Sequence, residues 1–516
     1  MTQSEDELRL AKLGYKQGLK RQFSALQTFG LVLTNASTLI GVIPLFSQAM
    51  NLGGPVAFTW GWLITGSFVC CIGLSLAEIC STYPTAGGLY YYAAKLGGPK
   101  YGPVSAWFTA WFNILGQIAG CSGSVYAGAT YFAIFLSIVF PSVTIVPTTV
   151  FTIFIVMMVL IGLLNCVGGL ALKGSSYIAT FIHTIGVLFI VITLFATSQV
   201  KQSPSFVFTQ FIDGTGWTNV QGASPFFVCM LGLLPSAWTL IGYDSSAHLS
   251  EETENAHIAG PRAIMFTIAT SITIGWMLIL SFLFNTNDLA TQQAGTYGAL
   301  YALPAQIFYD AAGAPLACVF ILIIALAGFL TGIGTVAANS RCLYALARDG
   351  GLPFSKVLTV LDKNTGMPLR LVWVSTFFVS LLAVPALFST VVLTAISGIS
   401  IIGFTVSYAI PIYIRITIGA DKFHQSEFNL GPYSKTIGWI GVLWTCLVVV
   451  IFQFPNAAPA FPITVENFNF VPVVVASLIC FTGGWWVLDA RKWFKGPVAE
   501  IPIEPENTSQ KIIVVS

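Results

Sequence analysis

Two copies of one tetrapeptide stand where a binding site for a small polar molecule could be built. Thr-Leu-Ile-Gly occurs at residues 38–41 and again at 239–242, each time inside a long apolar stretch. If a helix unwinds there, its freed backbone groups are tolerated only where a ligand, an ion or water satisfies them. Free N–H groups can bind a carboxylate, and free carbonyls can bind a cation. The candidate substrate-contact residues are Ser37, Thr38, Leu39, Ile40, Gly41, Thr239, Leu240, Ile241, Gly242, Tyr243 and Asp244.

Simpler interpretations of these residues stay open. Either glycine could serve only close helix packing, and Asp244 could cap the second half of its helix rather than contact a ligand. The corresponding positions of the two copies favour a binding site over packing alone.

Other polar groups within apolar stretches are candidates for ion coupling, because such groups are costly there and commonly mark an ion pathway. His183 could carry a proton, since an imidazole titrates near neutral pH. The alternative is a neutral histidine bonded to a carbonyl. Thr331, Thr335 and Asn339 are spaced four apart and form a polar stripe that could hold sodium or simply join two helices.

Four residues are candidates for gating. Glu78 closes the second apolar stretch, Glu251 and Glu252 follow the sixth, and Arg341 begins a basic cluster after the eighth. A salt bridge from this cluster to Glu251, Glu252 or Asp349 could close one end of the protein. The alternative is that the basic residues only determine topology.

The elements that carry these residues must be membrane helices. Hydrophobic residues make up 55% of the chain and charged residues only 8%. Roughly 20 apolar residues are needed to cross a hydrocarbon core about 30 Å thick. We predict an all-α integral membrane protein whose twelve helices cover residues 26–46, 55–79, 103–140, 147–167, 177–197, 225–247, 263–284, 314–338, 371–387, 391–414, 437–454 and 470–488.

The basic residues orient these helices. With the N-terminus inside, 21 of the 22 Lys and Arg residues fall in the leader, the tail or even-numbered connections, and only Lys201 falls outside. Both termini are therefore predicted to be cytoplasmic. The predicted regions are a cytoplasmic N-terminal segment at 1–25, a ten-helix transport core at 26–414, helices 11 and 12 at 437–488, and a cytoplasmic C-terminal tail at 489–516.

Enzyme motifs are missing from the sequence. It contains no His-x-x-x-His, Gly-x-Ser-x-Gly or phosphate loop. The connections are also too short for an ATP-hydrolysing domain, which disfavours a primary pump. We expect no enzyme activity, no cofactor, no metal and no nucleic-acid partner.

The run from Glu78 to Tyr92 is the most specific motif, with an acidic residue, Pro84, a Gly-Gly pair and three tyrosines. With residues 242–244, 250–252, 260–262 and 340–350, it resembles the amino acid-polyamine-organocation superfamily over about residues 12–495. Within that superfamily the chain is similar to eukaryotic GABA, amino acid and choline permeases. The resemblance implies a 5+5 inverted repeat in which broken helices 1 and 6 hold the substrate through residues 37–41 and 239–243.

The resemblance also implies a function. We expect a secondary active transporter of amino acids or related amines, with GABA the leading candidate, working by alternating access and coupled to protons, with sodium as the alternative ion. Some proton-coupled relatives carry a lysine in helix 5, where this chain has His183. The alternatives are a choline or polyamine permease and a non-transporting nutrient receptor. We expect the plasma membrane rather than a vacuolar or other organelle membrane.

Overall fold

The structure is a computed structural model that describes residues 5–298, 302–389, 392–421, 423–424, 426–459, 464 and 468–498. Within these residues the chain is almost wholly helical, and β-pairing is limited to isolated bridges that join Phe23 to Thr253 and Leu52 to Asp213. Residues 1–4 of the predicted N-terminal segment and 499–516 of the predicted tail lie outside the described residues.

The first half of the chain forms eleven α-helices among the described residues. They are α1 (Glu5–Lys12), α2 (Ala25–Asn35), α3 (Thr38–Val42), α4 (Phe46–Asn51), α5 (Gly54–Thr82), α6 (Gly88–Val139), α7 (Pro147–Val167), α8 (Gly169–Phe181), α9 (Val187–Thr197), α10 (Pro204–Thr209) and α11 (Trp217–Gln221). A π-helical turn at Ile182–Gly186 joins α8 to α9.

The second half continues with α12 (Pro225–Leu231), α13 (Leu234–Thr239), α14 (Ser245–His248), α15 (Ala256–Phe284), α16 (Leu289–Ala294), α17 (Leu303–Arg348), α18 (Ser355–Leu358), α19 (Leu369–Ala383), α20 (Val392–Ile416), α21 (Ser434–Ile451), α22 (Val471–Trp485) and α23 (Arg491–Trp493). Shorter 3-10 turns occur at Ser250–Glu252, Val384–Leu387 and Gly431–Tyr433, and a second π-helical turn occurs at Trp486–Ala490.

Eleven helical segments of the described chain are long and apolar enough to cross a membrane, so the prediction of a helical membrane protein is confirmed. The sixth predicted stretch, 225–247, is not one continuous helix. A turn at residues 232–233 separates α12 from α13, and a second interruption at 240–244 separates α13 from α14. Pro235 and Gly242 explain the irregularity, because proline lacks an N–H and glycine readily adopts positive φ.

The third and eighth predicted stretches are each preceded by a short helix that is joined to them at a kink. Helix α6 starts at Gly88 rather than at 103, and α17 starts at Leu303 rather than at 314. Each consists of two helices that meet at a kink at one non-helical glycine, Gly98 (φ 62°) in α6 and Gly313 (φ 71°) in α17. The predicted starts at 103 and 314 lie just after these kinks, in the second helix of each pair.

Three long helices pack backbone to backbone at glycines. A Cβ added to Gly403 of α20 would lie 2.5 Å from the backbone nitrogen of Gly116 in α6. A Cβ added to Gly328 of α17 would lie 2.7 Å from the Cα of Gly128, also in α6. Small residues allow this close approach in membrane helices. Helices α6, α17 and α20 therefore form a closely packed frame beside the interrupted helices.

The N-terminal segment packs against this helical bundle rather than standing apart from it. Leu10, Tyr15 and Phe23 are buried. The backbone N–H groups of Gln22 and Phe23 both donate to the carbonyl of Glu252, at 2.8 and 2.9 Å. This segment is thereby joined to the chain that follows α14.

Candidate functional site

The first span is interrupted between α2 and α3. Residues 36 and 37 leave the helix, and Ser37 is extended at ψ 101°. The predicted unwinding at 37–41 is wrong in extent, because Thr38–Val42 already forms a helical turn and the Gly41 N–H donates to the Ser37 carbonyl at 2.9 Å. The break is therefore shorter and one residue earlier than predicted.

The sixth span is interrupted at residues 240–244, between α13 and α14. Gly242 has φ +84°, a conformation that L side chains rarely adopt. Its N–H donates not to a helical carbonyl but to the hydroxyl of Tyr408 on α20, at 3.1 Å. The glycine therefore both permits the break and turns a backbone donor towards another helix.

The two tetrapeptide copies lie against each other across these breaks. A Cβ added to Gly41 would lie 2.1 Å from Thr239 Oγ1, in the second copy. A Cβ added to Gly242 would lie 3.1 Å from the carbonyl oxygen of Asn35, just before the first copy. Each glycine is thus required for the close approach of the opposite broken helix.

A cavity of about 30 Å³ lies between the breaks. It has room for water but not for an amino acid. Of the predicted contact residues, Ser37, Gly41, Thr239, Ile241, Gly242 and Asp244 line it. Thr38, Leu39, Ile40, Leu240 and Tyr243 do not, because their side chains are buried away from the cavity, mostly in the hydrophobic core.

Thr335, a predicted ion-coupling residue, also lines the cavity. The sequence did not point to the remaining lining residues, which are mainly polar or aromatic and include Asn35, Gln117, Ser124, Trp238, Ser245, Ser400 and Phe404. Asp244 is the one ionisable side chain among all the lining residues. A larger cavity of about 270 Å³ lies beside Leu52, in the chain that follows α4. Gln48, Asn51 and Thr394 contribute to its wall.

Asp244 is the centre of a buried polar network. Its carboxylate accepts hydrogen bonds from the Tyr408 hydroxyl at 2.7 Å and from Asn113 Nδ2 at 2.8 Å. His248, one turn later, places Nε2 at 3.4 Å from the same carboxylate. Asp244 occupies the N-cap position of α14, but its side chain makes no capping hydrogen bond. The capping interpretation is therefore wrong.

The three candidates for ion coupling have different hydrogen-bond partners in the same region. His183 is buried in the π-helical turn, and its Nε2 lies 3.4 Å from Ser37 Oγ beside the first break. Thr331 donates to the Thr34 carbonyl at 3.0 Å, and Thr335 lies 3.3 Å from Asn35 Oδ1. All three thus contact the first span near its interruption.

Asn339 does not continue this stripe towards the first span. Its Nδ2 donates to Ser375 Oγ at 2.7 Å.

The predicted gating residues form buried ion pairs. Arg341 Nε lies 2.8 Å from Glu252, and Arg348 lies 3.3 Å from Glu251. Glu78 pairs with Arg415 at 2.9 Å and also accepts a hydrogen bond from Ser434. These three pairs and the N-terminal segment define what we call the ion-pair end of the bundle.

Asp349 is not an ion-pair partner of Arg341. It accepts hydrogen bonds from the hydroxyls of Tyr90 at 2.8 Å and Tyr15 at 3.3 Å, and from the Val498 N–H at 3.2 Å. Burial raises the pKa of Asp349 to about 6, although Arg348 and these hydrogen bonds favour its charged form. The residue therefore connects the N-terminal segment, α6 and the chain after α23.

Comparisons with known proteins agree with these features. A family model described as amino acid permease matches residues 23–479. The chain is 35% identical over 524 residues to Amino-acid permease BAT1 of Arabidopsis thaliana, an alignment that covers 96% of each chain. It is 35% identical over 508 residues to the BAT1 homolog of Oryza sativa subsp. japonica, covering 96% of this chain and 95% of the relative. It is 28% identical over 510 residues to the GABA-specific permease of Saccharomyces cerevisiae, covering 96% and 86%.

Proposed function

Because this chain belongs to the amino acid permease family, we propose that it moves an amino acid or a related amine by alternating access, with GABA the leading candidate. The observation that carries the proposal is the cavity between two helix breaks. Asp244 supplies an anionic partner for an ammonium group, while hydroxyl and amide groups surround it. No lysine or arginine lines the cavity, so a substrate carboxylate would be bound by neutral donors.

Alternating access is supported by the asymmetry of the two ends. Buried ion pairs close the ion-pair end, whereas the larger cavity lies towards the other end. We assign the ion-pair end to the cytoplasm, which places both termini there, and we propose the plasma membrane as the location. Breaking the Arg341–Glu252 and Arg348–Glu251 pairs would open the path inward.

The proposed architecture has twelve crossings, with the sixth made in two pieces, and two inverted repeats of five helices. Two structural correspondences support the repeats. The bends in α6 and α17 both fall ten residues after the helix begins, at 98 after 88 and at 313 after 303. The two glycines of the tetrapeptide copies also make reciprocal contacts across the site.

A choline or polyamine permease is the second candidate. Trp238 and Phe404 line the cavity beside Asp244, and aromatic faces attract cations that lack a carboxylate. Proton coupling is part of the main proposal, with His183 as the residue suggested by the sequence. Sodium at Thr331 and Thr335 is the alternative.

The test is uptake of labelled GABA into proteoliposomes of the purified protein in sodium-free buffer, with and without an inward proton gradient. Empty liposomes are the control, and unlabelled amino acids, choline and putrescine are the competitors. Gradient-stimulated uptake is expected. Uptake of labelled choline or putrescine under the same conditions, without uptake of labelled GABA, would replace GABA with an organic cation. Saturable binding without flux would contradict transport and favour a receptor.

A further inference from the structure

The ring of His248 is surrounded by hydrogen-bond acceptors. Nδ1 lies 3.2 Å from the carbonyl oxygen of Ala86, and Nε2 lies 3.1 Å from Asn113 Oδ1 and 3.4 Å from Asp244 Oδ2. Carbonyl and carboxylate oxygens can only accept, so each ring nitrogen needs a hydrogen to form a bond. A neutral imidazole carries only one. The surroundings therefore match the doubly protonated, cationic ring.

The amide orientation of Asn113 follows from its other partners. Its nitrogen donates to Asp244 at 2.8 Å and to Ser407 at 3.3 Å, and its oxygen accepts from Gln117 at 2.7 Å. The reversed amide would turn an oxygen towards the Asp244 carboxylate. That contact is favourable only if Asp244 carries a proton. In either orientation of the Asn113 amide, Asp244 and His248 together must hold one proton more than an ionised carboxylate and a neutral imidazole would hold.

We infer that Asp244 and His248 together hold one exchangeable proton, and that this pair rather than His183 couples protons to transport. The inference rests on the proposed permease function. With the proton, the pair is electrically neutral. Without it, the Asp244 charge is left alone in a buried site, which is costly unless another cation replaces the proton.

A short hydrogen-bonded path joins the pair to the substrate cavity. The Gly242 N–H donates to the Tyr408 hydroxyl, which in turn donates to Asp244. Gly242 and Asp244 both line the cavity. A substrate ammonium that reaches Asp244 can therefore provide the positive charge that the proton otherwise provides. The proton and the substrate thus compete to neutralise the same carboxylate.

The other titratable groups that face the pair do not compete for this proton near neutral pH. Tyr408 faces it from α20, Tyr92 from α6 and Cys342 from α17, while Tyr243 precedes Asp244 in its own segment. These are phenols and a thiol, which stay protonated in this range.

On the Nδ1 side of the ring, the backbone of Ala86 also contacts a charged group, Glu251. Its carboxylate accepts the Ala86 N–H at 3.1 Å and pairs with Arg348, so its charge is already compensated.

His183 lacks such surroundings. Its Nε2 lies 3.4 Å from a serine hydroxyl, which can donate as well as accept, and its buried Nδ1 has no hydrogen-bond partner among the described residues, so no pair of acceptors requires a doubly protonated ring there. The part of the chain that the structure describes places no acidic ion-pair partner beside it. Two buried histidines in one protein thus provide a matched comparison.

The first test detects the proton without requiring transport. The protein contains four histidines, so ¹⁵N-histidine labelling in liposomes gives few signals, and the His248→Gln variant assigns one of them. We expect either a doubly protonated His248 ring at neutral pH or an infrared band of a protonated carboxyl group that Asp244→Asn removes. A neutral His248 ring together with an ionised Asp244 would overturn the inference, whatever the substrate is.

The second test connects the proton to transport by comparing His248→Gln with His183→Gln. We expect His248→Gln to lose stimulation by the proton gradient while its substrate exchange falls far less, and we expect His183→Gln to retain the stimulation. Retained stimulation in His248→Gln, or its loss only in His183→Gln, would refute the inference. If the wild-type protein moves no substrate at all, the proposed function fails while the spectroscopic result still decides the location of the proton.

Discussion

The contact between Gly41 and Thr239 gives a prediction whose size follows from the structure. In Gly41→Ala the new Cβ would lie 2.1 Å from Thr239 Oγ1, whereas ordinary contact begins at 3.4 Å. The two broken helices must therefore separate by about 1.3 Å. Overpacking of this kind costs about 1–3 kcal/mol. A cost of that size corresponds to roughly a 5- to 150-fold loss in the population of the arrangement in which the two broken helices are in contact.

The assay is thermal melting of the detergent-purified protein, followed by uptake in proteoliposomes. We expect Gly41→Ala to lower both the melting temperature and the uptake rate. Gly174→Ala is the matched control, because a Cβ at Gly174 meets nothing within 4 Å and that residue is also helical.

A double variant, in which residue 41 gains a Cβ and residue 239 loses its side chain, tests whether these two residues are in direct contact. Thr239→Gly removes the atoms that Gly41→Ala would strike, at a cost of roughly 1 kcal/mol for a glycine in a helix. We expect the double variant to melt near Thr239→Gly and well above Gly41→Ala. Additive losses in the double variant, or wild-type behaviour of Gly41→Ala, would refute the proposed contact.

Three further predictions address other parts of the protein. Gly242→Leu should abolish uptake while the protein still folds and inserts. The reason is that a φ of +84° is strained by about 1–2 kcal/mol for an L side chain. Uptake at the wild-type rate would rule out the broken-helix site. Arg341→Met should cost about 3–5 kcal/mol by leaving Glu252 buried and unpaired, and the added change Glu252→Gln should restore much of the melting temperature. Partial burial alone would raise the pKa of Asp213, but hydrogen bonds from Thr215 and Thr218 lower it to about 2. Its stabilising effect is therefore complete above about pH 4 and is lost as the pH falls towards 2, so Asp213→Asn should lower the melting temperature at pH 7 by more than at pH 3.

The sequence predicted the helical class and the region of both breaks, because apolar length and paired glycines are local signals. It misjudged the first break. The Gly41 backbone is helical, and the glycine is needed for contact with Thr239, which is 198 residues away in the chain. Such a contact has no local signature.

The polar network around Asp244 was also missed in part. Asn113 and Tyr408 lie within long apolar stretches, where each looks like a single packing residue. His248 directly follows the sixth apolar stretch, which ends at residue 247, so nothing in the sequence indicates that it lies in the buried part of the bundle. Only the three-dimensional structure shows that helices α6, α14 and α20 bring these residues to one carboxylate.

The small volume of the central cavity implies a rule for selectivity. A space of about 30 Å³ cannot contain a solute of amino acid size. At the proposed substrate site, the free energy of binding would therefore be reduced by the cost of moving lining side chains such as Thr239, Trp238 and Phe404 apart. Chain length then sets the energetic demand that a substrate places on the protein. In a homologous series of ω-amino acids we expect affinity to pass through an optimum, where the gain from filling the enlarged space no longer exceeds the cost of enlarging it.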